Sequence, residues 1–176
     1  MSEDALYDLA AQTLASLGER TLATAESLTG GLISATLTEV PGASRVFRGS
    51  IVAYATDVKV SVLGVDPALI AAGGAIQEQV AFQMARGVCR SLGAQFGLAV
   101  TGVAGPAVQD GHEPGTVCFS VVEMAADGAV LASQLDTLVL DLVGVAPEDQ
   151  RAYIRKHTVR RGLELLRSMA SGQVSE

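Results

Sequence analysis

The stretch TAESLTGG, residues 24 to 31, puts a hydroxyl at Ser27 directly after an acidic residue and just before the glycine pair Gly30 and Gly31. A serine there is either the cap of a helix or a nucleophile. Paired glycines at a helix start let backbone N–H groups from Thr29 to Gly31 approach an anion or oxyanion closely, which favours chemistry. A second group of candidates lies in YATDVK, where Lys59 follows Tyr54 by five residues in an otherwise apolar neighbourhood. If Thr56 or Asp57 caps a short helix, Lys59 falls in its first turn, where the helix dipole and burial both disfavour an ammonium and make the amine a candidate general base. The competing reading makes Ser27 a cap, Tyr54 a core-edge residue and Lys59 a solvated charge.

Other chemistries lack their residues. The chain has two histidines, His112 and His157, and neither has a motif context linking it to a nucleophile, so a Ser-His-Asp or Cys-His centre is not expected. Cys89 and Cys118 have no local partner motif and read as core residues of a reducing compartment. No metal site and no cofactor are expected. The turn after the first strand lacks G-x-G-x-x-G, and the Tyr54 to Lys59 interval does not fit the one-turn spacing of short-chain dehydrogenases.

The elements that must position these groups follow from periodicity. Helices are predicted over residues 3–17, 30–40, 56–65, 77–93 and 147–170, the last with Pro147 in its first turn. Strands are predicted over 21–25, 49–54, 96–102, 116–124 and 129–140, with a hairpin turn at Asp127 and Gly128, a loop over 105–115 and a frayed SGQVSE tail. This alternation predicts an α/β fold: a single three-layer domain over 1–176, ordered from about 4 to 170, with a mostly parallel sheet flanked by helices and a late antiparallel hairpin. In such sheets ligands sit beyond the carboxyl ends of the strands, so Ser27, Tyr54, Thr101 and Gly102 are expected to converge on one edge.

Composition sets outer limits. With 176 residues and 49% hydrophobic content the chain can bury one real core. A net charge of −7 provides no basic field for a nucleic-acid backbone, the acidic start MSEDALYDLA is unlike a signal peptide, and the apolar runs are too short to span a bilayer. The expectation is a cytoplasmic protein with no nucleic-acid or membrane partner.

Five blocks, TAESLTGGL, VPGASRVFRGSIVAYATDVKVSVLGV, GGAIQEQVAFQMARG, GLAVTGVAGP and EPGTVCFSV, resemble in order and spacing the C-terminal domain of the competence/damage-inducible CinA proteins. That family includes stand-alone nicotinamide-nucleotide amidases. The resemblance implies hydrolysis of nicotinamide mononucleotide to nicotinic acid mononucleotide and ammonia, with the nucleophile on Ser27 and its partners on Tyr54 and Lys59, either of which accepts the proton. It further implies an oxyanion site at Thr29 to Gly31 or Gly102, phosphate contacts from the TGVAGP loop (Thr101, Gly102 and Gly105) and from Arg151, and a homodimer or higher homo-oligomer. Full-length members add a pyrophosphatase-type domain; the expectation here is a stand-alone amidohydrolase, the alternative being a non-catalytic nucleotide-binding or regulatory CinA-like protein that binds nicotinamide mononucleotide without releasing ammonia. The chain departs from the family pattern at Leu28 and Gln77, at Asp149 and Gln150 before Arg151, and at Ala107 and Val108, which stiffen a loop that is usually glycine-rich.

Overall fold

The computed structural model describes residues 3–172. Five strands order as β2-β1-β3-β4-β5, with β1 at Leu22–Glu26, β2 at Phe47–Val52, β3 at Phe96–Gly102, β4 at Thr116–Met124 and β5 at Val130–Val139. β1 pairs parallel with both β2 and β3, while β4 runs antiparallel to β3 and to β5. All strands but β4 therefore point the same way, which is the mostly parallel sheet with a late hairpin that the sequence predicts. The turn at Asp127 and Gly128 forms as expected, with the Asp127 carboxylate accepting from Ala129 N at 3.0 Å.

Helices cover both faces. On one side lie α1 (Glu3–Leu17), α2 (Leu32–Thr38) and α6 (Pro147–Ala170), packed on Leu22, Phe96, Leu98, Val100, Phe119 and Val121. On the other lie α3 (Thr56–Leu63), α4 (Pro67–Gly73) and α5 (Glu78–Leu92), packed on the small side chains Ala23, Ala25 and Ala99 together with Val122. The period-2 alternation along β1 and β3 sorts large residues to the first face and small ones to the second. Small residues bring α5 very close: a Cβ on Gly97 would stand 2.4 Å from the Ala85 carbonyl oxygen.

Several boundaries differ from the sequence reading. α2 starts at Leu32, after a turn that contains Gly30 and Gly31, because Gly31 (φ 95°) is its N-cap. β2 ends at Val52, leaving Tyr54 two residues beyond the sheet. The cap of α3 is Ala55, and neither Thr56 nor Asp57 caps it with a side chain. α4 was not predicted, although Asp66-Pro67 is a legible start signal: the Asp66 carboxylate accepts from Ala68 N at 2.8 Å and Pro67 occupies the first turn. Residues 173–176 of the SGQVSE tail lie outside the described residues. Among the described residues no helix is long and apolar enough to cross a membrane.

One contact fixes α3. Gly87, in the middle of α5, faces the carbonyl oxygen of Leu63 at the end of α3, and a Cβ there would lie 2.0 Å from that oxygen. Since the obstacle is backbone, α3 itself must move to admit a methyl group. Gly87→Ala is expected to lower unfolding free energy by about 1–3 kcal/mol in urea titrations and to displace Lys59, one turn upstream of Leu63. A variant with unchanged stability would show that α3 is not held by this contact.

Candidate functional site

The sheet order brings the ends of β1, β2 and β3 side by side, and a cleft of about 360 Å³ opens there. Its lining includes Ser27, Leu28, Tyr54, Gly102, Gly105 and Arg151, closed on one side by residues 103–109. A larger hollow of about 560 Å³, between α1 and the turn over 40–46, lies at the opposite end of the strands and contains none of the candidate residues.

Ser27 follows β1 and is 8% exposed, with its N–H donating to the Val100 carbonyl at 3.2 Å. It does not cap α2, whose N-cap residue is Gly31. Facing it is Lys59, 1% exposed, whose Nζ lies 3.0 Å from Ser27 Oγ. A helical side chain points back toward its own N-terminus, and so Nζ reaches the chain just before α3, where it donates to the Ala53 carbonyl at 2.7 Å and meets the Tyr54 carbonyl at 3.4 Å. Burial pulls the amine down from its ordinary value of 10.5 to about 8, against an opposing pull from the Asp110 carboxylate. A neutral lysine has two N–H donors and one lone pair. With the two carbonyls taking the donors, the lone pair is left for the serine hydroxyl.

Tyr54 contributes differently from the sequence expectation. Its carbonyl meets Lys59, while its side chain is 60% exposed and its phenol oxygen accepts from Arg151 Nη2 at 3.0 Å. The phenol has no hydrogen bond to Ser27 or Lys59 among the described residues, so Lys59 is the side chain that meets the Ser27 hydroxyl. Arg151 Nη1 also donates to the Gly105 carbonyl at 2.8 Å, so the arginine straps together two walls of the cleft. Thr101 stands apart: its buried hydroxyl donates to the Ala75 carbonyl at 2.9 Å and holds the α4–α5 connection. Gly102 lines the cleft and is pressed on β4, where a Cβ would lie 2.5 Å from the Thr116 carbonyl oxygen.

The glycine turn is also occupied in an unexpected way. Glu26, fully buried at the end of β1, accepts from Gly31 N and Ile33 N at 3.0 Å and from Ser34 N at 2.8 Å. Ser50 Oγ donates to it at 3.3 Å. Gly30 N donates to the Ser27 carbonyl at 3.0 Å. The N–H groups of Gly30 and Gly31 are thereby committed inside the protein, which corrects the expectation that they face an oxyanion. The amides of Leu28 and Thr29 have no acceptor among the described residues. Arg155 Nη2 donates to the Thr29 carbonyl at 2.7 Å and fixes that peptide from α6.

Glu26 and Arg155 escaped the sequence reading. The signal for Glu26 was an acid at a strand end ahead of a capless glycine turn; Arg155 was marked by its spacing of one helical turn from Arg151. Neither histidine approaches Ser27: His112 pairs by its backbone with Gln109, and His157 bonds and stacks on Tyr153. No group of three His, Cys, Asp or Glu side chains among the described residues is placed to hold a metal.

The profile of the CinA C-terminal domain matches residues 4–170. The chain belongs to the CinA C-terminal domain family. It is similar to the CinA-like protein of Frankia casuarinae, 47% identical over 152 residues covering 86% of this chain and 32% of that protein. With the CinA-like protein of Mycobacterium tuberculosis it shares 42% over 154 residues, 87% of this chain and 33% of that one. The chain thus spans about a third of the length of these curated relatives. Among solved structures it resembles the competence/damage-inducible protein CihA of Agrobacterium tumefaciens, with TM-score 0.80, 34% identity and 98% of each chain covered. It also resembles a competence-damaged protein (CinA) superfamily member of Enterobacter cloacae, with TM-score 0.82, 25% identity, and 94% of this chain and 92% of that one covered.

Because Glu26 satisfies three amides, Glu26→Gln is expected to destabilise the protein by about 1.5–3 kcal/mol, the range for hydrogen bonds to a charged group. An amide offers one oxygen, and its NH₂ opposes the remaining N–H donors. Denaturant midpoints of the two proteins at equal m-value test this; coincident midpoints would refute the anchoring role.

Proposed function

We propose that this CinA-family domain is an amidohydrolase that converts nicotinamide mononucleotide to nicotinic acid mononucleotide and ammonia through a serine–lysine pair. The observation that carries this reading is the 3.0 Å approach of the buried Lys59 amine to Ser27 Oγ, with both remaining Nζ contacts made to backbone carbonyls. Neutral Lys59 takes the Ser27 proton as Oγ attacks the carboxamide carbon, giving a tetrahedral intermediate and an ammonium on Lys59. Collapse passes that proton to the leaving nitrogen, and ammonia departs from an acyl ester on Ser27. Water, deprotonated in turn by Lys59, then cleaves the ester and restores the pair.

The uncommitted amides of Leu28 and Thr29 support a place for the oxyanion beside Ser27. For the substrate's phosphate, the supporting feature is Arg151, which lines the cleft and is not ion-paired among the described residues. Arg151 keeps donors in reach once its bond to the Tyr54 phenol is exchanged for phosphate oxygens. The rim tyrosine is then free to lie against the pyridine ring. No step draws on a metal or a redox cofactor, and chelation is expected to leave turnover unchanged.

Ser27→Ala is expected to keep the fold and lose about 10³-fold or more of ammonia release from nicotinamide mononucleotide. Turnover near wild type would return Ser27 to a structural role.

The sign of the pH dependence follows from Lys59. The amine works as a base only when unprotonated, and so kcat/KM is expected to rise with pH through about 8, the value to which burial lowers it. Lys59→Arg is expected to be nearly as damaging as Lys59→Ala, since a guanidinium retains its proton. An arginine variant with a near wild-type rate and the same ascending limb would exclude Lys59 as the base.

A further inference from the structure

The wall that closes the cleft is a hairpin. At its base, Val103 N donates to the Thr116 carbonyl and Gly115 N to the Val103 carbonyl, both at 2.9 Å. At its tip, Gln109 and His112 exchange backbone hydrogen bonds of 3.1 and 2.8 Å around Asp110 and Gly111, whose φ angles of 49° and 77° are those of an Asp-Gly two-residue turn. Asp110 is the one residue other than glycine with positive φ among the described residues.

Its side chain leaves the turn to make a contact elsewhere. Oδ2 accepts from Ala75 N at 2.9 Å, on the connection between α4 and α5. Gly74 permits that approach, since a Cβ there would lie 2.6 Å from Asp110 Cβ, Cγ and Oδ2. The other side of Ala75 is held as well, because its carbonyl accepts from Thr101 Oγ1. Asp110 thereby ties the hairpin tip to a segment that is itself anchored to the end of β3. Ala107, Val108 and Gln109, which line the cleft, immediately precede it.

We propose that Asp110 is a positioning residue, which latches the hairpin wall of the cleft onto the α4–α5 connection and from there holds a negative charge toward the buried amine of Lys59. The proposal rests on the reading of Lys59 as the base for Ser27. The other charged groups around Lys59 are engaged elsewhere, apart from Asp57, which is exposed as Asp110 is. Glu26 on β1 is bound to the α2 amides, and Glu78 on α5 accepts from Thr137. Arg86 on α5 stacks on Phe82, Arg151 on α6 holds Tyr54 and Gly105, and Asp57 on α3 is exposed. Asp110 is the charge that raises the proton affinity of Lys59 against burial. Closing the wall therefore sets the width of the cleft and the strength of the base together.

Two substitutions separate these effects. Asp110→Asn retains an oxygen acceptor for Ala75 N and the tolerance for positive φ, and removes only the charge. Asp110→Ala removes the latch as well. Labelling of Ser27 by a fluorophosphonate probe, followed from about pH 6 to 10, reads the serine–lysine pair without the nucleotide. With less negative charge near it the amine releases its proton more readily, so the ascending limb is expected to move to lower pH in both variants, by about 0.3 to 0.7 of a pH unit at low ionic strength. The difference from wild type should shrink in about 1 M salt, as a through-space charge effect must.

KM for nicotinamide mononucleotide is expected to rise about threefold or more in Asp110→Ala and to rise less in Asp110→Asn. Circular dichroism and thermal melts establish that both variants fold. An Asp110→Asn limb that coincides with wild type at low salt overturns the charge role, and equal KM values in the two variants overturn the latch. A wild-type protein that labels at Ser27 but releases no ammonia overturns the substrate reading alone, and the limb comparison still decides the role of Asp110.

Discussion

A lysine amine buried to 1% exposure is the constraint around which this domain is arranged. An ammonium stripped of water is costly, and the cost falls only if the amine loses its proton or finds oxygen acceptors. The structure works on both: burial brings the amine down to about 8, so that the proton is more easily lost, and the carbonyls of Ala53 and Tyr54 accept its N–H groups. Those carbonyls are free because β2 stops at Val52 and the chain then turns into α3 without a side-chain cap. α3 in turn is pressed on α5 through Gly87, and α5 lies on a strip of alanine and glycine in β1 and β3. The small residues of the central strands are thus the distant reason that Nζ stands 3.0 Å from Ser27 Oγ.

A buried carboxylate organises the other half of the site. The positive end of a helix of one strand-turn-helix unit commonly receives a bound anion. Here the protein supplies its own, since Glu26 takes the amides of Gly31, Ile33 and Ser34 from inside the sheet. The consequence is a division of labour. The amides at the start of α2 are spent on Glu26, and under the proposed function a substrate phosphate is met by a guanidinium group of the cleft instead. Arg151, which lines the cleft, offers that group on a chain whose total charge is −7. Local arrangement outweighs net charge here, because the field within a Debye length of the cleft is what an incoming anion meets.

How far the sequence could be read follows from the range of each interaction. Alternating apolar segments gave the α/β sheet and its late hairpin, and the position of Ser27 past β1 and of Tyr54 past β2 followed from topology. Lys59 was legible by its apolar surroundings and its place in the first turn of a short helix. What sequence could not decide was the direction of side chains across elements. Ser27 and Lys59 are 32 residues apart, and nothing in the spelling of YATDVK says that the tyrosine presents its carbonyl to the lysine and its phenol to Arg151, 97 residues away. Thr101 was placed at the right edge, but its hydroxyl turns away to Ala75. Glu26 was passed over because a buried acid with only backbone partners has no sequence periodicity to mark it.

The choice of lysine over histidine as partner to the serine is consistent with this architecture. An imidazole needs a third group to fix its tautomer and orientation, usually a carboxylate on its far side. The carboxylate closest in sequence, Glu26, is already spent on α2. A lysine needs no tautomer control, because its amine is symmetric about the Cε–Nζ bond and two carbonyls suffice to aim the lone pair. The cost is a pKa that starts far too high and must be lowered by burial. Even at about 8 the amine is free in only about a tenth of molecules at pH 7. In the proposed mechanism such a pair trades the fraction of active molecules for basicity, since the ammonium formed during attack holds a proton to deliver to a departing nitrogen. Under the proposed function, in which ammonia is the leaving group, a base that returns a proton to nitrogen of similar basicity is well matched to the step.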